Sequence, residues 1–242
     1  MKRIAIFVEG KTEFFFVFRI IRLIFDARNI SYHGFELIGK KLQPMRYECF
    51  NDQSQYFFQV VIVGNDERVI SVIKENEASM VERGFNLIIG LRDMYSKHYD
   101  KQARGSINPE ITRKFQDSTK SDVEHMKNPS KISFHYAVME LEAWFLSMYK
   151  ILERIHQDLT VDRIKDMLGI DLSSLDPEQK FYKPSIIFRQ ILGLENVTYK
   201  KSESDIKKVV NKIELEDLDS LVKSNKCKCC VDFYREIDAL RI

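Results

Sequence analysis

An α/β fold built on a mostly parallel sheet is what the sequence predicts, and three observations predict it. Short continuous apolar runs recur at Arg3 to Val8, Tyr56 to Val63 and Phe85 to Leu91. Runs of that length without polar alternation fit strands buried on both faces, as in parallel sheets. The segments between them carry apolar residues at helical spacing, giving the strand–helix–strand–helix–strand order of an α/β domain. The chain also has the means to build such a core: 242 residues, 44% hydrophobic and 12% aromatic.

Each element has its own signal. After the first strand Gly10 turns the chain, and Thr12 is placed to cap a helix running to about Asn29, apolar nearly all round from Phe14 to Phe25. The second strand ends at Gly64-Asn65-Asp66, where Asp66 is an expected N-cap for a helix from Glu67 to about Arg83. Its inner face reads as Val69, Ile70, Ile73 and Met80. Gly84 closes that helix and the third strand ends at Arg92-Asp93. The polar stretch 95–130, broken by Gly105, Pro109 and Pro129, reads as an insertion with a helix near Pro109 to His125. Lys131 to Met139 returns to strand character, Glu142 to Ile155 is helical, and short helices follow to the end. The expected organisation is an α/β domain over residues 1–145 and a helical C-terminal region over 146–242. Whether those helices form an appendage or cover the sheet is not decided by the pattern.

Composition excludes several classes. With 9 Gly and 5 Pro the chain is neither collagen-like nor a low-complexity linker. A net charge of +2, from 38 Lys+Arg against 36 Asp+Glu, is not the footprint of a protein that coats nucleic acid. It leaves room for an enzyme that touches nucleic acid through one local patch. The apolar run after Met1-Lys2-Arg3 stops at Glu9, too short for a signal peptide, and Arg19 and Arg22 interrupt the next one. A cytoplasmic protein with reduced thiols and no membrane segment is expected. Cys227, Cys229 and Cys230 lack a second pair or a His at zinc-ligand spacing and read as ordinary thiols. Trp144 reads as core. Lys200-Lys201, like the other short basic runs, reads as a solvated face.

Acidic residues concentrate where an open parallel sheet binds its ligands, beyond the carboxyl ends of the strands. Glu9 follows the first strand and Asp93 ends the third, while Glu140 and Glu142 stand where the fourth gives way to a helix. Carboxylates converging from separate strand ends supply the oxygen ligands that Mg²⁺ requires.

The hexapeptide Val8-Glu9-Gly10-Lys11-Thr12-Glu13 after a first strand resembles the opening motif of TOPRIM domains, the metal-dependent module of topoisomerases, bacterial primases and OLD-family nucleases. Leu91-Arg92-Asp93-Met94-Tyr95 stands where that superfamily carries DxD. More similar still is a bacterial TOPRIM-like family known as a domain of unknown function. Its acid-Ala-Trp pattern is matched by Glu142-Ala143-Trp144, its Lys-Pro-Ser element by Lys183-Pro184-Ser185, and its terminal helix by Phe233 to Leu240. The resemblance implies a Rossmann-like TOPRIM fold, a Mg²⁺ or Mn²⁺ cofactor and phosphodiester chemistry on nucleic acid, DNA before RNA. It implies Glu9 as ligand or general acid/base, and Asp93, Glu13, Glu140 and Glu142 as metal ligands. Lys183 would neutralise charge on a phosphate oxygen. Tyr95 departs from the pattern, since it replaces the second DxD acid.

The first functional expectation is therefore a metal-dependent nuclease or related phosphodiester-processing enzyme, in phage defence or DNA repair. The second is a non-catalytic TOPRIM-fold binding subunit beside an ABC-type or SMC-like ATPase, the partner class that the resemblance implies. No Walker-type loop is present in the sequence, so ATP hydrolysis would come from that partner. A third is a response-regulator-like or phosphatase domain using the same strand-end acids.

Overall fold

The computed structural model describes residues 1–64 and 68–241. Its strands are β1 (Lys2–Val8), β2 (Ile30–Ile38), β3 (Lys41–Cys49), β4 (Tyr56–Ile62), β5 (Leu87–Asp93) and β6 (Ile132–Ala137). The first four helices are α1 (Lys11–Ile24), α2 (Val69–Glu82), α3 (Lys97–Ala103) and α4 (Pro109–Glu124). A helical region follows: α5 (Glu142–Ser147), α6 (Lys150–Ile155), α7 (Val161–Leu168), α8 (Pro177–Lys180), α9 (Pro184–Gly193), α10 (Glu203–Val210), α11 (Leu215–Ser224) and α12 (Lys228–Asp238). The α/β class with a mostly parallel sheet flanked by helices and a helical C-terminal region is the architecture observed. No helix among the described residues is long and apolar enough to cross a membrane.

The chain divides into two compact units. The first comprises Met1–Phe14, Phe25–Arg92 and Pro109–Tyr136; the second comprises Phe15–Ile24, Asp93–Asn108 and Ala137–Ile242.

The first unit is organised by the six-stranded sheet, in the order β3-β2-β4-β1-β5-β6. β1 lies at the centre, parallel to both β4 and β5, with Val8 opposite Ile62 on one side and Leu91 on the other. Its residues Ile4 to Val8 are essentially fully buried, as expected of a strand covered on both faces. On one face α2 brings Val69, Val72, Ile73 and Met80 into a core with Phe7, Val61, Phe85 and Ile88. Ile70, expected on that inner face, packs at its margin. Asp66 and Glu67, expected as cap and first residue of α2, lie outside the described residues.

The hairpin β2–β3 is a departure from the expected alternation. β2 runs parallel to β4, and β3 returns antiparallel along β2 as the sheet's edge. Its polar alternation and Pro44 suit an edge strand, where a missing backbone donor costs nothing. The turn is made at Gly39, whose φ of +64 is the left-handed conformation that a glycine adopts without strain. α1 also ends at Ile24 rather than near Asn29, because Asp26 caps a separate 3-10 turn that feeds β2.

The second unit is helical and rich in aromatics. Phe16 on α1 meets Trp144 edge-on at 5.3 Å between centroids, and Phe233 of α12 lies 6.2 Å from Phe16. Phe145 and Phe188 extend the same cluster at 5.8 Å. Trp144 has no exposed surface, and its indole Nε1–H donates to Glu178 Oε1 at 2.7 Å. That carboxylate also accepts the Cys229 backbone N–H at 3.2 Å, tying the start of α12 to α8. Burial pushes the Glu178 carboxyl up to about 7, against these hydrogen bonds.

Candidate functional site: carboxylates around Lys201

The two opening acids of the sequence motif belong to the first unit and are engaged in its turn. Glu9 is half-buried directly after β1, and its carbonyl accepts the Gly64 N–H at 2.8 Å. Glu13, in the first turn of α1, is 4% exposed and its Oε2 accepts the Gly10 N–H at 2.9 Å. A Cβ at position 10 would stand 3.3 Å from that oxygen and press on the carboxylate that closes the turn. Glu13 thus closes the strand-to-helix turn and sits favourably at a helix N-terminus.

The remaining predicted residues gather in the second unit. Asp93, the last residue of β5, accepts the Leu141 N–H on Oδ1 at 2.9 Å. The chain beyond β5 stays paired with the chain beyond β6: Met94 N–H donates to Ala137 O, and Tyr95 N–H to Met139 O, at 2.8 and 2.9 Å. Met139 itself takes a left-handed φ of +64, costly for a side chain of that size, and this bend delivers Glu140 and Glu142.

Glu140 is held at the start of α9. Its Oε2 accepts the Ser185 N–H and its Oε1 the Ser185 hydroxyl, both at 2.9 Å. Lys183 stands at the N-cap with Pro184 at the first helical position, where a proline's fixed φ and missing N–H are tolerated. The Lys-Pro-Ser element therefore works through its serine, which fastens a carboxylate to a helix N-terminus.

Glu142 has no exposed surface. Tyr199 donates its hydroxyl to Oε1 at 3.0 Å, and the Lys201 ammonium donates to Oε2 at 3.0 Å and lies 2.9 Å from Oε1. The same ammonium is 3.6 Å from Glu140 Oε1. Burial opposes the charge on Lys201, but the carboxylates of Glu142, Asp93 and Glu140 outweigh it and hold the ammonium above its ordinary pKa. For Glu142 burial raises the carboxyl while Lys201 pulls it back. At 2.9 Å the pair is an ion pair, with the lysine protonated. Lys201 reaches this position on a backbone with φ of +58, a second strained residue at the same place.

Lys201 is thus the residue that the sequence reading misplaced. It belongs to a short basic run and was expected on a solvated face; instead its side chain is 36% exposed and answers a carboxylate 59 positions away. No local spacing announces such a pairing. Tyr199 and Ser185 are the other site residues that motif reasoning passed over.

Beside Glu140 opens a cleft of about 190 Å³ lined by Tyr95, Glu140, Lys183, Ser185, Ile186 and Arg189. Tyr95, in place of the second DxD acid, packs edge-on against Tyr182 at 5.8 Å, and Tyr182 in turn donates to Asp100. Arg189 Nε donates to the Ser185 carbonyl at 3.0 Å, which aligns its guanidinium along the cleft wall. The lining thus carries the cations Lys183 and Arg189 together with the Glu140 carboxylate.

Glu140 and Glu142 offer only oxygen, the donor that a hard cation takes, but the cation that stands against both is the Lys201 ammonium. Among the described residues the trio of possible ligands whose atoms lie within 4.8 Å of one another is His156, Asp158 and Glu195, not Asp93, Glu140 and Glu142, and there Arg163 already answers Glu195 at 2.5 Å.

No protein-family model, curated protein or solved structure matches the chain.

Proposed function

We propose that this protein is a metal-dependent phosphodiester-processing enzyme of the TOPRIM kind, a nuclease acting on nucleic acid, with DNA the preferred substrate. The observation that supports the reading is that Glu140 and Glu142 meet one cation, the Lys201 ammonium, on which Asp93 also acts electrostatically, next to a cleft bearing Lys183 and Arg189. Carboxylates for a cation beside cations for a phosphate is the division of labour that phosphoryl chemistry uses. Bound Mg²⁺ or Mn²⁺ would supply Lewis acidity and orient the attacking water.

The chain's own residues do the rest. Asp93 and Glu142 would hold the metal, Glu142 from a side chain with no exposed surface. Ser185 fixes Glu140 in the cleft lining through both of its carboxylate oxygens. Lys183 and Arg189 draw in a backbone phosphate and offset its charge, and Tyr95 offers an aromatic edge to a sugar or base. Glu9 is the general acid/base that the family resemblance implies.

Cleavage of DNA and RNA with Mg²⁺, Mn²⁺ or EDTA tests this, with and without a co-encoded ATPase. Asp93→Asn and Glu9→Ala should each lower cleavage at least a hundredfold. Undiminished cleavage in either variant contradicts the corresponding assignment. Lys183→Ala with Arg189→Ala should weaken DNA binding alike for all sequences and reduce its logarithmic salt slope by about two.

Two observations favour a second reading, a non-catalytic binding subunit of an ATPase-containing complex, as in phage defence. Tyr95 removes one acid of DxD, and both Glu140 oxygens are already engaged by Ser185. That reading predicts DNA binding through Lys183 and Arg189 with no cleavage under any metal.

A further inference from the structure

A cavity of about 450 Å³ lies in the first unit, at the opposite end of the sheet from Glu9. Arg3 near the start of β1, Phe57 near the start of β4 and Ser31 of β2 stand in one row of the register, and all three line it. The loop between β3 and β4 adds Phe50 and Asp52 to the lining. Strand geometry separates Arg3 from Glu9 by about 20 Å.

Arg3 is a cation that no carboxylate answers among the described residues. Its guanidinium lies over the rings of Phe57 and Phe85, 5.1 and 4.8 Å from their centroids. The rings hold the group in place but cannot neutralise it, and its buried Nε has no hydrogen-bond partner. A guanidinium positioned in this way takes an oxyanion, two N–H donors to two oxygens. Phe50 supplies a different surface. Its ring is 64% exposed, yet its loop is tied down. Asn51 N–H donates to Ser31 Oγ at 2.8 Å, the Ser31 and Ser54 hydroxyls are 2.9 Å apart, and Gln55 N–H donates to Asn29 O at 2.9 Å. His33 meets the Phe50 ring edge-on at 5.7 Å. A ring that is held in place and left open is a stacking platform for a planar group.

We propose that this cavity binds a nucleotide, with Arg3 on the phosphate and Phe50 stacked on the base. An inorganic anion would leave most of the volume empty, and an aliphatic acid would leave the ring unused. Asp52 offers an acceptor for a sugar hydroxyl or a base amino group. A free nucleotide and the phosphorylated end of a single strand share this chemistry. The site uses none of the acids at the carboxyl ends of the strands, so it stands whether or not the chain cleaves nucleic acid.

Calorimetric titration in EDTA tests it, with two pairs of ligands: AMP against adenosine, and a short single-stranded oligodeoxynucleotide with and without its 5′-phosphate. In at least one pair the phosphorylated ligand should bind the wild-type chain about fivefold more tightly or better. Phe50→Ala, a change at an exposed ring, should weaken that ligand about fivefold or more, as loss of one stacked base does. Arg3→Gln should abolish the preference for phosphate. A preference confined to AMP identifies a free nucleotide as the ligand, and one shown by the strand identifies a strand end. No phosphate preference in either pair overturns the proposal. So does an affinity that Phe50→Ala leaves unchanged, including one that Lys183→Ala with Arg189→Ala removes instead. Phe50→Ala carries the test alone if Arg3→Gln fails to fold.

Discussion

Glu140 and Glu178 show how much a single carboxylate can carry in this protein. Glu140 caps α9 from outside the helix, through the backbone and hydroxyl of Ser185 together. Removing a capping carboxylate generally costs about 1–2 kcal/mol. Glu140→Ala should therefore lower unfolding stability by that amount, and Ser185→Ala by about 1 kcal/mol, both measurable by urea titration. Glu178 makes a pH prediction. Its carboxyl is pushed up to about 7 from an ordinary 4.5, so between those values the folded chain keeps a proton that the unfolded chain has released. Stability contributed by the protonated form is present below about 4.5 and is lost as pH rises to about 7, by roughly 3 kcal/mol in all. Glu178→Gln should remove that slope from the stability–pH profile; an unchanged slope contradicts the assignment.

At the scale of elements, the strands buried on both faces were legible because sequence states burial directly. Ile4 to Val8 and Ile88 to Leu91 have no polar alternation, and both lie inside the sheet. The β2–β3 hairpin was not legible, because its signals are mixed: a bulge between His33 and Phe35 breaks the register, and Pro44 argues against a strand interior. Its position beside β4 depends on close packing instead. A Cβ on Gly34 would stand 2.6 Å from the Phe14 ring, and one on Gly90 would stand 2.4 Å from the Phe134 ring. Gly34→Ala and Gly90→Ala should each cost about 1–3 kcal/mol through overpacking, as rigid ring atoms cannot move aside. A chemical-denaturation series checks both. The helix that follows β6 was also longer in expectation than in fact: Glu142 to Ile155 is two helices, interrupted at Met148 and Tyr149.

Across the molecule, the near-balance of charge conceals its placement. The candidate site was half visible in the sequence. Asp93, Glu140 and Glu142 stood out because strand ends are where an open α/β sheet binds ligands, and all three acids occur there. Lys201, Tyr199 and Ser185 stayed hidden because each meets its acid only through tertiary structure, 45 to 59 positions away. A carboxylate on a strand end has a local signature; the cation that answers it does not. The proposed cation site for phosphodiester chemistry is tested most directly by Mg²⁺-dependent cleavage of DNA by the wild-type chain and by Asp93→Asn, side by side. EDTA should abolish cleavage and Asp93→Asn should reduce it at least a hundredfold. Cleavage that survives both EDTA and Asp93→Asn, or its absence from the wild type under every metal and ATPase condition, would contradict the proposal.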